Sequence, residues 1–223
     1  MAPMAEPTLA VTRRRTLLWV EFGALYIGAP LGIALFMPGN LLFEALAVFS
    51  AAGLALLWFT GGFRWRSLIR GWSRVPLLEL AGIALITLVA GVLILWLTRP
   101  ESLFSMARSH PERVLLIWAF YPLLSALPQE LIFRPLFFHR YAALLPEGRG
   151  AIALNAAIFS FAHLMYWSWV VALMTFLGGW AFARAYLNRG FPAAWLLHAV
   201  AGNVLFAVGM GAYFYSGNVV RPF

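Results

Sequence analysis

Long apolar runs separated by short polar interruptions set the pattern of this chain. The runs at 16–37, 41–62, 76–98, 114–145, 150–167, 168–188 and 191–215 approach or exceed the length a helix needs to cross a bilayer, about 20 apolar residues. The run at 114–145 is too long for one straight span and contains Pro122, Pro128 and Pro135, each of which removes a helix donor and tends to kink or break the helix. Read as one kinked span, it gives seven spans; split near Pro128, it gives eight. The pattern predicts an all-α, polytopic transmembrane helical bundle of 7–8 spans. A single transmembrane domain over 16–215 lies between tails at 1–15 and 216–223, and no soluble domain, low-complexity tract or internal repeat interrupts it.

Composition sharpens this. Of 223 residues, 63% are hydrophobic and 11% charged, against about a quarter charged in a soluble domain. All sixteen basic residues are Arg, all eight acidic residues are Glu, and Lys, Asp and Cys are missing. A protease built on an aspartyl dyad is therefore excluded, as are thiol catalysis, disulfides and thiolate metal sites. The net charge of +8 reads as anchoring against anionic headgroups rather than nucleic-acid binding, because the Arg residues cluster at the ends of the runs. Eleven Arg, from "TRRR" (12–15) through Arg189, fall on the side of the N-terminus. The positive-inside rule then places the N-terminus in the cytoplasm, as a signal-anchor of a protein in the cytoplasmic membrane. Glu21, Glu44 and Glu79 lie near the starts of spans and read as interfacial, as do His110 and His139.

Within the spans, ionisable residues are expensive and therefore informative. "PQELIFR" (128–134) places Glu130 and Arg134 four residues apart, about 40° around a helix and on one face, so the two can form an ion pair. Asn155, Phe159 and His163 recur every four residues in "NAAIFSFAH" (155–163), and His198 sits in "WLLHAVAGN" (195–203). A carboxylate and two imidazoles on three apolar segments are the ingredients for activating a water: a base, a second group to hold the water, and an oxyanion donor. The proline-rich run can border a wet pocket, since freed backbone groups at membrane depth need protein or water partners.

These three sites resemble the motifs of the CPBP (CAAX protease and bacteriocin-processing) intramembrane proteases, which carry Glu-Glu-x-x-x-Arg, Phe-x-x-x-His and His-x-x-x-Asn on successive helices. Here "QELIFR" (129–134), "FSFAH" (159–163) and "HAVAGN" (198–203) occur in that order, and the resemblance covers about 113–209. It implies hydrolysis of a peptide bond in a membrane-associated peptide or protein. The first motif glutamate and the motif-two histidine, His163, would activate water, with His198 and an asparagine on the oxyanion. Prenylated CAAX tails are the namesake substrate, although nothing in the sequence selects them.

Two positions depart from that pattern. Gln129 stands where the family has its base, and an amide can orient a water but cannot take its proton. Either Glu130, about 100° further round the helix, assumes the role, which is the preferred expectation, or the site is weak or inactive. The family's asparagine position is Gly202, with Asn203 one residue beyond as the remaining oxyanion partner. Glu130, His163 and His198 could also complete a three-ligand zinc site. No His-Glu-x-x-His pair is present, and metal-independent chemistry is slightly preferred. The three side chains are expected to converge in a cavity lined by Phe159. Two rivals stand beside the endopeptidase: a non-catalytic member with a receptor, immunity or scaffold role, motivated by Gln129, and a small proton-coupled transporter using the Glu/Arg/His set as a relay.

Overall fold

The computed structural model describes residues 9–38, 41–72, 75, 77–215 and 221–222. It is helical throughout, with no strand among the described residues. The first helix, α1, runs through Leu9–Gly23, a wide π turn at Ala24–Gly28, and Ala29–Phe36. It thus begins inside the stretch expected as a tail; of the two tails, residues 1–8, 216–220 and 223 lie outside the described residues. Then follow α2 (Leu42–Trp58), α3 (Leu77–Thr98), α4 (Pro111–Arg140), α5 (Arg149–Phe161), α6 (Trp169–Arg189) and α7 (Phe191–Val208). Five of these are long and apolar enough to cross a membrane: α1, α3, α4, α6 and α7.

That is fewer than the seven or eight spans expected. The difference lies in two runs. The run at 41–62 forms the 17-residue α2 and the run at 150–167 the 13-residue α5. At about 1.5 Å per residue they reach roughly 25 and 20 Å, short of a hydrocarbon core of about 30 Å. After Phe161 the chain leaves the helix through a 3-10 turn at Leu164–Tyr166, with Trp167 left-handed at φ 46. Apolar composition continues where helical geometry has stopped. Five membrane-capable helices make the chain a multi-pass membrane protein.

The proline-rich run is one continuous helix, α4, with no break at Pro128. It widens into π geometry at Pro122–Ala126 and again at Ile132–Arg140. Prolines cost the helix donors and leave carbonyls short of partners, which a π register partly absorbs. Other helices also donate to carbonyls along these segments. Trp195 Nε1 on α7 donates to the Pro122 carbonyl at 2.7 Å, Tyr26 Oη on α1 to that of Ile132 at 2.7 Å, and Asn155 Nδ2 on α5 to that of Phe133 at 2.7 Å. Irregular helix at membrane depth is tolerated on this condition, and it puts α4 at the centre of the bundle.

The core follows. Phe22, Tyr26, Phe133, Phe137, Tyr141, Phe159 and Phe182 form one continuous buried aromatic cluster with Ile132, Leu136 and Leu197. Helices α5 and α6 pack most extensively, followed by α7 with α4, with α6 and with α3. Gly179 allows the first of these approaches, since a Cβ there would stand 3.0 Å from Phe159 Cδ1 and 3.2 Å from the Ala156 backbone. Small residues at such crossings let apolar helices approach closely in lipid. The acidic residues expected at interfaces tie elements together: Glu21 binds Arg140 at 2.5 and 2.7 Å and Tyr141 at 2.6 Å, and Glu79 meets Arg189 at 2.5 Å.

Candidate active site

Two layers of polar side chains meet along α4. The inner layer is centred on Glu130, which is fully buried. Arg134, one turn on, donates to it from Nε at 2.8 Å and from Nη2 at 3.1 Å. His198 of α7 approaches its Oε1 through Nδ1 at 3.0 Å. Arg134 is buried as well, and its Nη1 donates to Asn155 Oδ1. The guanidinium lies 5.2 Å from the Phe159 ring centre, while Phe182 stacks on His198 at 4.8 Å. Two opposite charges, each held by at least three hydrogen bonds under aromatic covers, form the arrangement in which a buried ion pair is tolerated.

The outer layer faces a cavity of about 910 Å³ whose wall includes Tyr121, Ser125 and Gln129 of α4 and, beyond α5, His163 and Tyr166. Phe206, Phe120 and Ile33 are among its apolar lining. Gln129 Nε2 donates to Ser125 Oγ at 3.0 Å. His163 Nδ1 lies 2.8 Å from the Phe159 carbonyl, which can only accept, so Nδ1 carries the hydrogen and Nε2 is left as the acceptor.

The split between layers decides what the sequence-predicted residues can do. Gln129 and His163 share the cavity wall; Glu130 and His198 contact each other behind it. Neither Glu130 nor His198 is a lining residue. Expected convergence of Glu130, His163 and His198 is therefore only half met. With three donors on about four acceptor sites and no exposed surface, Glu130 is poorly placed to take a proton from a water in the cavity. Phe159, expected on the cavity wall, is instead buried between the two imidazoles, at 4.8 Å from His163 and 5.6 Å from His198 between ring centres. Asn155 belongs to the inner layer.

The third motif also differs from expectation. Asn203 turns away, its Nδ2 donating to the Trp118 carbonyl at 3.3 Å while Trp118 Nε1 donates to the Asn203 carbonyl at 3.0 Å. Gly202 is packed against the Tyr121 ring so closely that a Cβ there would overlap it. The Tyr121 hydroxyl lies 3.1 Å from His198 Nε2. Tyr121 and Ser125 went unnoticed in the sequence, yet a signal exists: 121, 125 and 129 place polar groups every four residues on one face of an otherwise apolar helix.

Zinc does not fit the expected ligand set. Both nitrogens of His198 are engaged, by Glu130 and Tyr121, and the carboxylate is neutralised by Arg134. Among the described residues no three His or Glu side chains gather as a metal site.

Residues 111–211 match the family model of Rce1-like proteins, type II CAAX prenyl endopeptidases, which bears out the resemblance carried by the three motifs. The matched segment runs from the start of α4 to just beyond α7, and so contains every residue of both layers. No curated protein and no solved structure matches the chain.

Proposed function

We propose that this chain, whose residues 111–211 form an Rce1-like unit, is an intramembrane endopeptidase that hydrolyses a peptide bond of a membrane-associated peptide or protein. One observation carries the reading: Gln129 and His163 line the same cavity, and His163 presents Nε2 as an acceptor because its Nδ1 is committed to the Phe159 carbonyl. The Gln129 amide donates to Ser125, which leaves its carbonyl oxygen as a second acceptor. A water bridging these two acceptors donates both hydrogens and turns a lone pair towards a substrate carbonyl. As the water oxygen adds to the carbonyl carbon, His163 takes its proton and then delivers it to the leaving amine. Gln129 orients the water and takes no proton.

The base role expected of Glu130 passes to His163 in this reading. Glu130 becomes a positioning residue that holds His198. A single imidazole base contributes about 10²–10⁴-fold, so turnover is slow relative to a site with a carboxylate at 129.

The test is cleavage of fluorescence-quenched peptide reporters, one plain and one with a lipidated cysteine, by purified protein in proteoliposomes. Wild-type cleavage should fall at least about 100-fold in His163→Ala and rise in Gln129→Glu, which adds a second base beside the water. Gln129 also motivates a second reading, a non-catalytic member that keeps the cavity for binding. Cleavage by folded Gln129→Glu alone, with an inert wild type, would favour that reading. Inertness of both on every reporter would refute the endopeptidase.

A further inference from the structure

We infer that the Tyr121 hydroxyl is the oxyanion donor of this site, acting in front of His198 and in the space that Gly202 leaves open. The inference rests on the endopeptidase reading above. On that side of the cavity Tyr121 is a lining residue and His198 is not. The ring of Tyr121 lies over Gly202, where any Cβ would overlap it, and its hydroxyl reaches His198 Nε2 at 3.1 Å. Asn203, the alternative donor, is held at Trp118 on another face of α7.

The hydrogen-bond directions are mutually consistent. Arg134 donates to Glu130, which can only accept, so His198 Nδ1 carries a hydrogen and its Nε2 a lone pair. In the free site the phenol therefore donates to Nε2. Ser125, one turn on along the same face of α4, accepts from Gln129. From the phenol the donors run through His198 to the buried ion pair. A phenol turns about its C–O bond at little cost, so the same proton can be re-aimed from Nε2 to an oxygen in the cavity. That move becomes favourable only when the oxygen carries negative charge. An interaction made in the transition state and not in the ground state accelerates the chemical step. In the balanced step, water oxygen bonds to the carbonyl carbon, His163 receives the water proton, and the carbonyl π pair becomes the oxyanion that Tyr121 binds.

Gly202 and Tyr121 thus form one unit: the glycine gives the ring its place, and the ring brings a hydroxyl where α7 offers no side chain. Tyr121→Phe keeps the ring and its packing while removing the donor. Two probes separate ground state from transition state, a farnesyl-cysteinyl tetrapeptide N-methylated at the scissile amide and its phosphinic analogue. Binding of both is measured to wild type, Tyr121→Phe, and Tyr121→Ala combined with Gly202→Asn. Tyr121→Phe should weaken the phosphinic probe about 100-fold, as loss of one oxyanion donor does, and leave the N-methyl peptide within about threefold. The double variant should regain part of the phosphinic affinity through its new amide. Equal weakening of both probes, or of neither, overturns the assignment. Failure of wild type to bind either probe overturns it together with the endopeptidase reading. Selective loss of the phosphinic probe without turnover in any variant refutes the endopeptidase alone and leaves Tyr121 as the oxyanion-binding group.

Discussion

Replacing Glu130 with Gln should be the most destabilising isosteric change available in this bundle. The side chain keeps its shape but loses its charge, and its new NH₂ faces donors. In the native site the carboxylate receives Arg134 Nε at 2.8 Å, Arg134 Nη2 at 3.1 Å and His198 Nδ1 at 3.0 Å. Arg134 Nη2 and His198 Nδ1 both meet Oε1, so an amide oxygen placed there keeps these two contacts. The third, from Arg134 Nε at the Oε2 position, then faces the new NH₂ and turns repulsive, and losing a charge-assisted bond costs about 1.5–3 kcal/mol. The lost charge raises this further, since removing one partner of a buried ion pair costs about 3–5 kcal/mol by leaving the other charge uncompensated. Arg134 would be that charge, with only Asn155, the Phe133 carbonyl and two aromatic faces for company. Adding Arg134→Met removes the stranded cation, so the double variant should be more stable than Glu130→Gln alone. Reversible unfolding in mixed micelles, followed by steric trapping, measures all three variants. A loss below about 1 kcal/mol for Glu130→Gln, or a double variant whose cost equals the sum of the singles, would show that the two groups are not coupled and would refute the inner layer.

Two further outcomes are expected in the same assay. Tyr26→Phe removes the donor that serves the Ile132 carbonyl inside the second π segment of α4, and a buried acceptor left unsatisfied should cost about 1–3 kcal/mol. Phe at 26 keeps the aromatic packing, so a neutral result would mean that the π segment satisfies itself. Arg140→Lys should not preserve the tie between α1, α2 and α4. The guanidinium engages both Glu21 oxygens and Thr60 Oγ1 at once, and an ammonium cannot reproduce that fork. Its unfolding free energy should resemble that of Arg140→Ala more than that of wild type.

Class and motifs were legible in the sequence because each rests on a local signal. Apolar runs of bilayer length give the multi-pass helical class, and the spacing of Glu130 and Arg134 gives their pairing directly. The partners of that pair were not legible. Asn155 reaches Arg134 from another helix, and nothing in its spacing to Phe159 and His163 says which way the stripe faces. The expected count of seven or eight spans is not confirmed for a related reason: hydropathy sees that 162–167 is apolar but not that the backbone turns there. Gly202 shows what spacing alone misses. A missing side chain reads in the sequence as a lost donor, whereas in the fold it is room for a tyrosine from α4.

The placement of Gln129 and Glu130 follows from helix geometry once the ion pair is granted. Adjacent residues on a helix point about 100° apart, so one can face the cavity while its neighbour faces the core. Arg134, four residues on, shares the face of Glu130, and a guanidinium at membrane depth needs its carboxylate more than a cavity does. Glu130 is therefore drawn inward with Arg134, and Gln129 is turned outward beside Ser125 and Tyr121 on the face defined by 121, 125 and 129. A carboxylate at 129 would put a negative charge on the cavity wall with no cation beside it on that face. An amide there needs none, and its NH₂ meets the Ser125 hydroxyl as a donor. On this reading the chain keeps its charge in the inner layer, where it orients His198 and through it the Tyr121 hydroxyl, and leaves Tyr121, Ser125 and Gln129 as neutral groups on the cavity wall.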